Sequence, residues 1–234
     1  MIKKAMILAA GFGKRVNPLA LNCPKPLLKI GDETLLSNTI KFLQNFGIKK
    51  IVINVHYLGE QIIDYINKEK FNSSINILRE EKNILDTGGG ILNAIDYFLD
   101  EPFLVINPDT IWSPEYTKEL KLMEDNFFSN KVNKCSMLVV DKLRSFDKNL
   151  KGDFNLENNL IKKNNTELKY IYTGAQIIKP EVFSDIKQKI FSIETIWKNL
   201  IKKKEITGLE SNIDFLHVTS FNTYQNLLKN LNIK

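Results

Sequence analysis

Apolar residues fall into short runs and helical stripes that alternate along the first half of the chain. Residues 5–10, Ala-Met-Ile-Leu-Ala-Ala, form an unbroken apolar run that stops at Gly11. That is the pattern of a strand buried on both faces. Leu35, Leu36, Ile40, Leu43 and Phe46 repeat at helical spacing, and Gly47 closes the stretch. A strand is predicted at 51–55, a helix at 59–66 and a strand at 75–78. A helix at 91–99 follows a run of three glycines. A strand at 102–106 then ends at Asn107-Pro108-Asp109. This succession predicts an α/β fold, with a parallel sheet covered by helices on both faces. The second half is less regular. It reads as a helix at 116–127, a strand at 135–140, a hairpin at 152–163 and a strand at 170–178. A helix at 193–201, a strand at 213–218 and a closing helix at 223–231 complete it. No internal repeat or low-complexity linker divides the chain, so one domain over 1–234 is expected.

Composition narrows the function classes. The 234 residues are 43% hydrophobic and 26% charged, enough to bury a sizeable core and to exclude disorder of the whole. The net charge of +6 suits a polyanionic ligand. It reads as a general richness in Lys, Asn and Ile, as at Lys202-Lys203-Lys204, and no basic stripe with interleaved aromatics points to nucleic acid. Cys23 and Cys135 have no metal-ligand spacing and cannot make a disulfide framework, which fits a reducing compartment. The apolar start is too short for a secretory core, and no run approaches membrane-spanning length. A cytoplasmic protein with no membrane partner is expected, as a monomer or homodimer.

The first strand runs into Gly11-Phe12-Gly13-Lys14-Arg15, and Pro24-Lys25-Pro26-Leu27 follows shortly after. Two glycines let the backbone turn tightly and present N–H groups as a concave anion site. Lys14, Arg15 and Lys25 add positive charge, with arginine able to fork onto phosphate oxygens. The flanking prolines stiffen the chain around Lys25. A dinucleotide-binding turn wants a third glycine where Val16 stands and an acidic residue after the second strand, where the chain has Asn54-Val55-His56. A Walker-type phosphate loop is absent as well. Leu85-Asp86-Thr87-Gly88-Gly89-Gly90 precedes a helix, and three glycines there favour a close approach of the backbone to something flat. Asp109 stands at the carboxyl end of an apolar strand, where open α/β sheets place ligands. A carboxylate there can hold Mg²⁺. His56, after the second strand, reads equally as a packing histidine or a sugar contact.

Taken together, Leu-Ala-Ala-Gly-x-Gly-x-Arg followed by Pro-Lys-Pro-Leu resembles the signature of sugar-1-phosphate nucleotidyltransferases. Thr87-Gly88-Gly89-Gly90, Asn54 to Leu58, Asp109 to Trp112, Gly152-Asp153-Phe154 and Tyr172 to Ala175 are similar to its N-acetylmuramate 1-phosphate uridylyltransferases and mannose-1-phosphate guanylyltransferase-like members. The resemblance runs over nearly the whole chain. It implies a Rossmann-like nucleotidyltransferase fold, with a mixed, mostly parallel central sheet flanked by helices. The nucleotide-binding half would be about 1–112 and the sugar-binding half about 113–234. It implies a nucleoside triphosphate, UTP by preference, and a sugar 1-phosphate as ligands, with Mg²⁺ as cofactor. Arg15, Lys25 and Asp109 would carry catalysis. Leu8, Ala10, Gly11, Gly13, Lys14, Asp86, Thr87, Gly88 and Gly89 would bind the nucleotide. Asn107, Glu81, Asp153, Gly174 and Lys162 would bind the sugar phosphate, although Lys162 and Lys163 also read as a solvated pair. Two departures stand out. Pro108 replaces the usual glycine, and His217 stands where the family has an aspartate that is a second metal ligand. His217 remains a candidate ligand, poorer for Mg²⁺ than a carboxylate. It also leaves room for a non-catalytic nucleotide or sugar-phosphate sensor. A guanylyltransferase acting on mannose or heptose 1-phosphate is the nearer alternative.

Overall fold

The structure is a computed structural model and describes residues 1–164 and 167–231. In chain order its elements are β1 (Lys4–Leu8), β2 (Lys29–Ile30), β3 (Glu33–Thr34), α1 (Leu35–Phe46), β4 (Lys50–Val55), α2 (Gly59–Lys68), β5 (Ser74–Arg79) and α3 (Asp86–Asn93). Then come β6 (Phe103–Ile106), α4 (Tyr116–Ser129), β7 (Cys135–Asp141), β8 (Asn155–Glu157), β9 (Leu160–Lys162), β10 (Tyr170–Ile178), α5 (Glu194–Lys203), β11 (Ile206–Ser211) and α6 (Phe221–Asn230). Among the described residues nine strands form one mixed sheet in the order β5-β4-β1-β6-β10-β7-β11-β9-β8, and β2 pairs with β3 apart from it. Strands β5, β4, β1 and β6 run parallel, and β10 enters antiparallel beside β6. This is the mixed Rossmann-like sheet expected.

The unbroken apolar runs follow from two-sided burial. Ala5, Ile7, Ile51, Ile53, Leu104 and Ile106 join one buried cluster with residues of α1, α2 and α4. Met6, Val52, Phe103 and Val105 point the other way, into a cluster with Ile91 of α3 and Ile196, Trp197 and Leu200 of α5. Successive side chains on a strand alternate faces, so a strand covered on both has no polar positions to spare. Helix α1 starts where Thr34 accepts from Ser37 N at 3.0 Å and Ser37 accepts in return from Thr34 N at 3.1 Å. Such a reciprocal cap contributes about 1 kcal/mol. Gly47, at φ 100°, ends it.

Two expectations change, and one strand was not foreseen. The helix expected at 91–99 begins at Asp86, so the glycines sit inside its first turns. The strand expected at 213–218 does not form. Phe215 bridges Ser145 and His217 bridges Thr110 singly, because this segment crosses loops at the sheet's end and has no strand beside it. Strand β11 was not legible, with Gly208 and Glu210 breaking its apolar alternation.

The loop after β6 carries Asp109, and it is fastened at several points. Trp112 Nε1 donates to Asn107 O at 3.0 Å, and Trp112 N donates to Asn38 Oδ1 at 2.9 Å. Thr110 Oγ1 donates to Thr173 O at 2.7 Å, and Val218 N donates to Asp109 O at 2.9 Å. Asn107 N donates to Gly174 O at 2.8 Å. Gly174 lies at φ 96°, within the register shift between Tyr172 and Gln176 on β10. A Cβ there would stand 2.9 Å from Asn107 Cβ. Gly174→Ala is therefore expected to lower stability by about 1–3 kcal/mol, read from the urea unfolding midpoint. An unchanged midpoint would remove this bulge from the account of how Asn107 is placed.

Candidate active site

A cavity of about 450 Å³ opens at the carboxyl ends of the parallel strands. This is where a doubly wound sheet leaves a crevice. One end is cationic. After β1 the chain passes Gly11 and Gly13 into a 3-10 turn at Lys14–Val16, closed by Val16 N donating to Gly13 O at 2.9 Å. Arg15 is exposed and makes no hydrogen bond or ion pair among the described residues. Its five N–H donors are therefore open to an anion. Lys14 Nζ lies 5.1 Å from the centre of the Phe12 ring. Phe12 leans on His56 and Tyr57, and Tyr57 OH donates to Ala20 O at 2.9 Å. The turn before α2 thus backs the loop, with His56 packed edge-on against Phe12.

Lys25 and Asp109 meet at the centre. Lys25 Nζ lies 2.5 Å from Asp109 Oδ2, and His217 Nε2 lies 3.0 Å from the same oxygen. Asp109 Oδ1 is buried and has no hydrogen-bond partner among the described residues. Burial works to raise this carboxyl, but the Lys25 ammonium and His217 outweigh it and hold it well below the usual carboxylate range. Asp109 is therefore an anion with one oxygen doubly engaged and the other uncommitted. Thr219 closes the wall nearby. Its hydroxyl donates to Asp147, whose carboxylate also accepts from Asn149 N at 3.0 Å.

The part of the lining supplied by Leu8, Ala10, Asn54, Glu80, Ile84, Asp86 and Thr87 includes no cationic side chain. Asn54 Oδ1 accepts from Ala9 N at 2.9 Å, and Asn54 Nδ2 donates to Glu80 Oε1 at 2.7 Å. Glu80 Oε2 accepts from Leu85 N at 2.7 Å, where α3 begins. Asp86 adopts φ 61°, and its Oδ1 accepts from Thr87 N at 2.6 Å.

The nucleotidyl transferase family model matches residues 4–141, more than half of the chain. The chain belongs to the nucleotidyl transferase family. Among curated relatives, the N-acetylmuramate α-1-phosphate uridylyltransferase of Caulobacter vibrioides is 28% identical over 92% of this chain and 91% of its own length. The enzyme of the same name from Neisseria meningitidis serogroup B is 28% identical over 88% of each. Solved structures share the fold. HddC from Yersinia pseudotuberculosis superimposes with a TM-score of 0.75 at 22% identity, over 98% of this chain and all of that one. UDP-glucose pyrophosphorylase from Acinetobacter gives 0.79 at 16% identity, over 100% and 96%. The chain is thus an enzyme of the nucleotidyltransferase class.

On this nucleotidyltransferase scaffold, Leu8, Ala10, Gly11, Gly13, Lys14, Arg15, Lys25, Asp86, Thr87, Asn107 and Asp109 all line the one cavity. His217 reaches it through Asp109. The rest are arranged differently from expectation. Gly88 and Gly89 face away, against the segment before α5. A Cβ on Gly88 would meet the Phe191 ring at 2.4 Å, and one on Gly89 would meet Lys189 O at 2.2 Å. The flat neighbour of the glycines is therefore this protein's own chain. Glu81 is exposed on the outside, beside Arg79 and Gln61, whereas Glu80 lines the cavity. Neighbouring residues of an extended segment point to different sides, so Glu80 and not Glu81 borders this cavity. Lys162 pairs with Glu157 inside the hairpin at 3.1 Å. Its neighbour Lys163 lies 3.7 Å from Glu194 and is the lysine whose charge acts on Asp153. Asp153 Oδ2 accepts from Tyr172 N at 2.9 Å, and burial pushes its carboxyl up. Asn54, Glu80 and Thr219 were missed, although a polar Asn54 next to the end of an otherwise apolar strand was a visible signal.

The approach of residues 189–193 to α3 leaves no room for a methyl group. Gly89→Ala is expected to cost about 1–3 kcal/mol of stability, with faster proteolysis between α3 and α5. A variant with the parent's melting temperature and proteolytic pattern would show that the segment shifts freely.

Proposed function

We propose that the protein transfers a nucleotidyl group from a nucleoside triphosphate to a sugar 1-phosphate, forming an NDP-sugar and releasing pyrophosphate. The observation that carries this reading is the juxtaposition of unpaired Arg15, the Lys25–Asp109 pair and a cation-free slot within one cavity. The cationic end suits phosphates and the slot suits a base. UTP with N-acetylmuramate 1-phosphate is the first pair to test, because the two uridylyltransferase relatives match along about nine-tenths of both chains. Mannose-1-phosphate guanylyltransferases, such as that of Arabidopsis thaliana at 34% identity, match over 46% of this chain, so GTP is the second nucleotide.

The chemistry is an in-line displacement. An oxygen of the sugar 1-phosphate attacks the α-phosphorus, and the bond to pyrophosphate breaks. The attacking oxygen is already anionic, so no strong base is required. Rate then comes from positioning and charge stabilisation. In this reading Lys25 bridges the α-phosphate and the attacking phosphate. Arg15, with Lys14 beside it, holds the departing pyrophosphate.

Asp109 Oδ1 is a buried oxygen without a partner, and this fits a Mg²⁺ ion. No group of three or more His, Cys, Asp or Glu able to hold a metal occurs among the described residues. Asp109 would hold the ion together with substrate phosphates. When bound, the ion would neutralise phosphate charge and fix phosphate geometry. His217 Nε2 already faces Asp109 Oδ2, and we assign it to steadying that carboxylate.

Lys25→Ala is expected to lower turnover at least about tenfold, with the circular dichroism of the parent. Near-normal turnover in a folded variant would remove Lys25 from the mechanism. EDTA is expected to stop pyrophosphate release, and added Mg²⁺ to restore it. Undiminished release in EDTA would end the assignment at Asp109. A panel of UTP, GTP, CTP and dTTP against sugar 1-phosphates tests the whole reading, which fails if no pair releases pyrophosphate.

A further inference from the structure

Asn54 and Glu80 are only 3% and 4% exposed, yet both border the cavity. A buried carboxylate is costly unless its oxygens are hydrogen-bonded. Glu80 meets this with one donor on each oxygen, Asn54 Nδ2 on Oε1 and Leu85 N on Oε2. Asn54 spends its own oxygen on Ala9 N. The chain of bonds runs from the turn after β1, through the ends of β4 and β5, to the start of α3. Both of those ends line the cation-free part of the cavity. His56 Nδ1 adds a contact of 2.6 Å to Glu80 O. Gly90 lies directly over the pair, since a Cβ there would stand 2.7 Å from Asn54 Nδ2 and 3.0 Å from Glu80 Oε1. Any side chain at that position would press on the link.

We infer that Asn54 and Glu80 are positioning residues, a clamp that sets the spacing between the Ala9–Ala10 turn and the first turn of α3 and so the fit of the nucleobase. The part concerning the base rests on the nucleotidyl-transfer reading above. The clamp itself depends on an arrangement of donors and acceptors that only particular residue pairs satisfy. An acceptor-only group must stand between two donors. In Glu80→Gln the single amide oxygen serves either Leu85 N or Asn54 Nδ2, and the amide NH₂ then faces the other donor. Turning Asn54 over only moves the mismatch to Ala9 N. In the reciprocal variant Asn54→Asp/Glu80→Gln every donor again faces an acceptor. The aspartate accepts from Ala9 N and from the glutamine NH₂, and the glutamine oxygen accepts from Leu85 N. Charge and size are unchanged from the parent.

Three proteins are compared: the parent, Glu80→Gln and Asn54→Asp/Glu80→Gln. Amide hydrogen exchange at Leu85 is measured without substrate, and kcat and KM for each substrate by pyrophosphate release. Glu80→Gln is expected to exchange Leu85 about tenfold faster and to raise the nucleotide KM by about tenfold. Its kcat and its KM for the sugar phosphate stay within about twofold. The reciprocal variant returns both readouts towards the parent. A generally loosened protein would shift both substrates together and would not recover. The clamp is overturned if Glu80→Gln leaves Leu85 exchange unchanged. It is overturned equally if the reciprocal variant is as impaired as the single one, in folding or in exchange. If exchange behaves as expected but only the sugar-phosphate KM moves, the clamp's role for the base falls. No pyrophosphate release by the parent would overturn the nucleotide reading, while Leu85 exchange still decides the clamp.

Discussion

The site depends on a carboxylate kept charged where burial disfavours charge. Asp109 stays ionised because Lys25 and His217 converge on one of its oxygens. These three residues come from segments separated by tens to more than a hundred positions. Each is brought in by a different device. A 3-10 turn with Pro24 and Pro26 holds Lys25. The loop after β6 is tied down through Trp112, Thr110 and Asn107, and carries Asp109. Val218 N pairs with the backbone of Asp109 itself and so sets His217 beside it. The sheet supplies the meeting place, since β10 enters antiparallel beside β6 where the loop must turn.

The first half of the fold was legible because parallel strands covered on both faces read as apolar runs with little ambiguity. The predicted helix at 35–46 coincides with α1, and β4 and β5 lie within one residue of expectation at each end. Errors gathered where tertiary contacts override local pattern. Gly88 to Gly90 looked like a loop before a helix, as helix interiors normally avoid glycine. They are inside α3 because residues 189–193 and Asn54 press against it too closely for side chains. The stretch 213–218 has strand chemistry but lies across loops. The cation end of the cavity was readable from its signature. Asn54 left a trace, as a polar residue in an apolar strand, but its link to Glu80 was not readable, because a buried polar link announces itself only once its partners are in place.

The two sides of α3 are therefore specified by different physics. One side of α3 is shaped by exclusion, where glycines admit the chain before α5. The other is shaped by matching of donors to acceptors through Glu80 and Asn54. A packing contact tolerates small changes of volume, whereas a buried hydrogen-bond link tolerates few changes of polarity.

The Lys25–Asp109 pair has one more consequence. In the free protein the two charges neutralise each other, so neither is fully available. A ligand that takes up one partner releases the other. An anion drawing Lys25 away leaves Asp109 held by His217 alone, and a cation drawn to Asp109 frees an ammonium. Occupancy of one half thus strengthens the other, and by reciprocity the benefit is equal in both directions. A single ion pair acts as a toll gate that opposite charges open for one another.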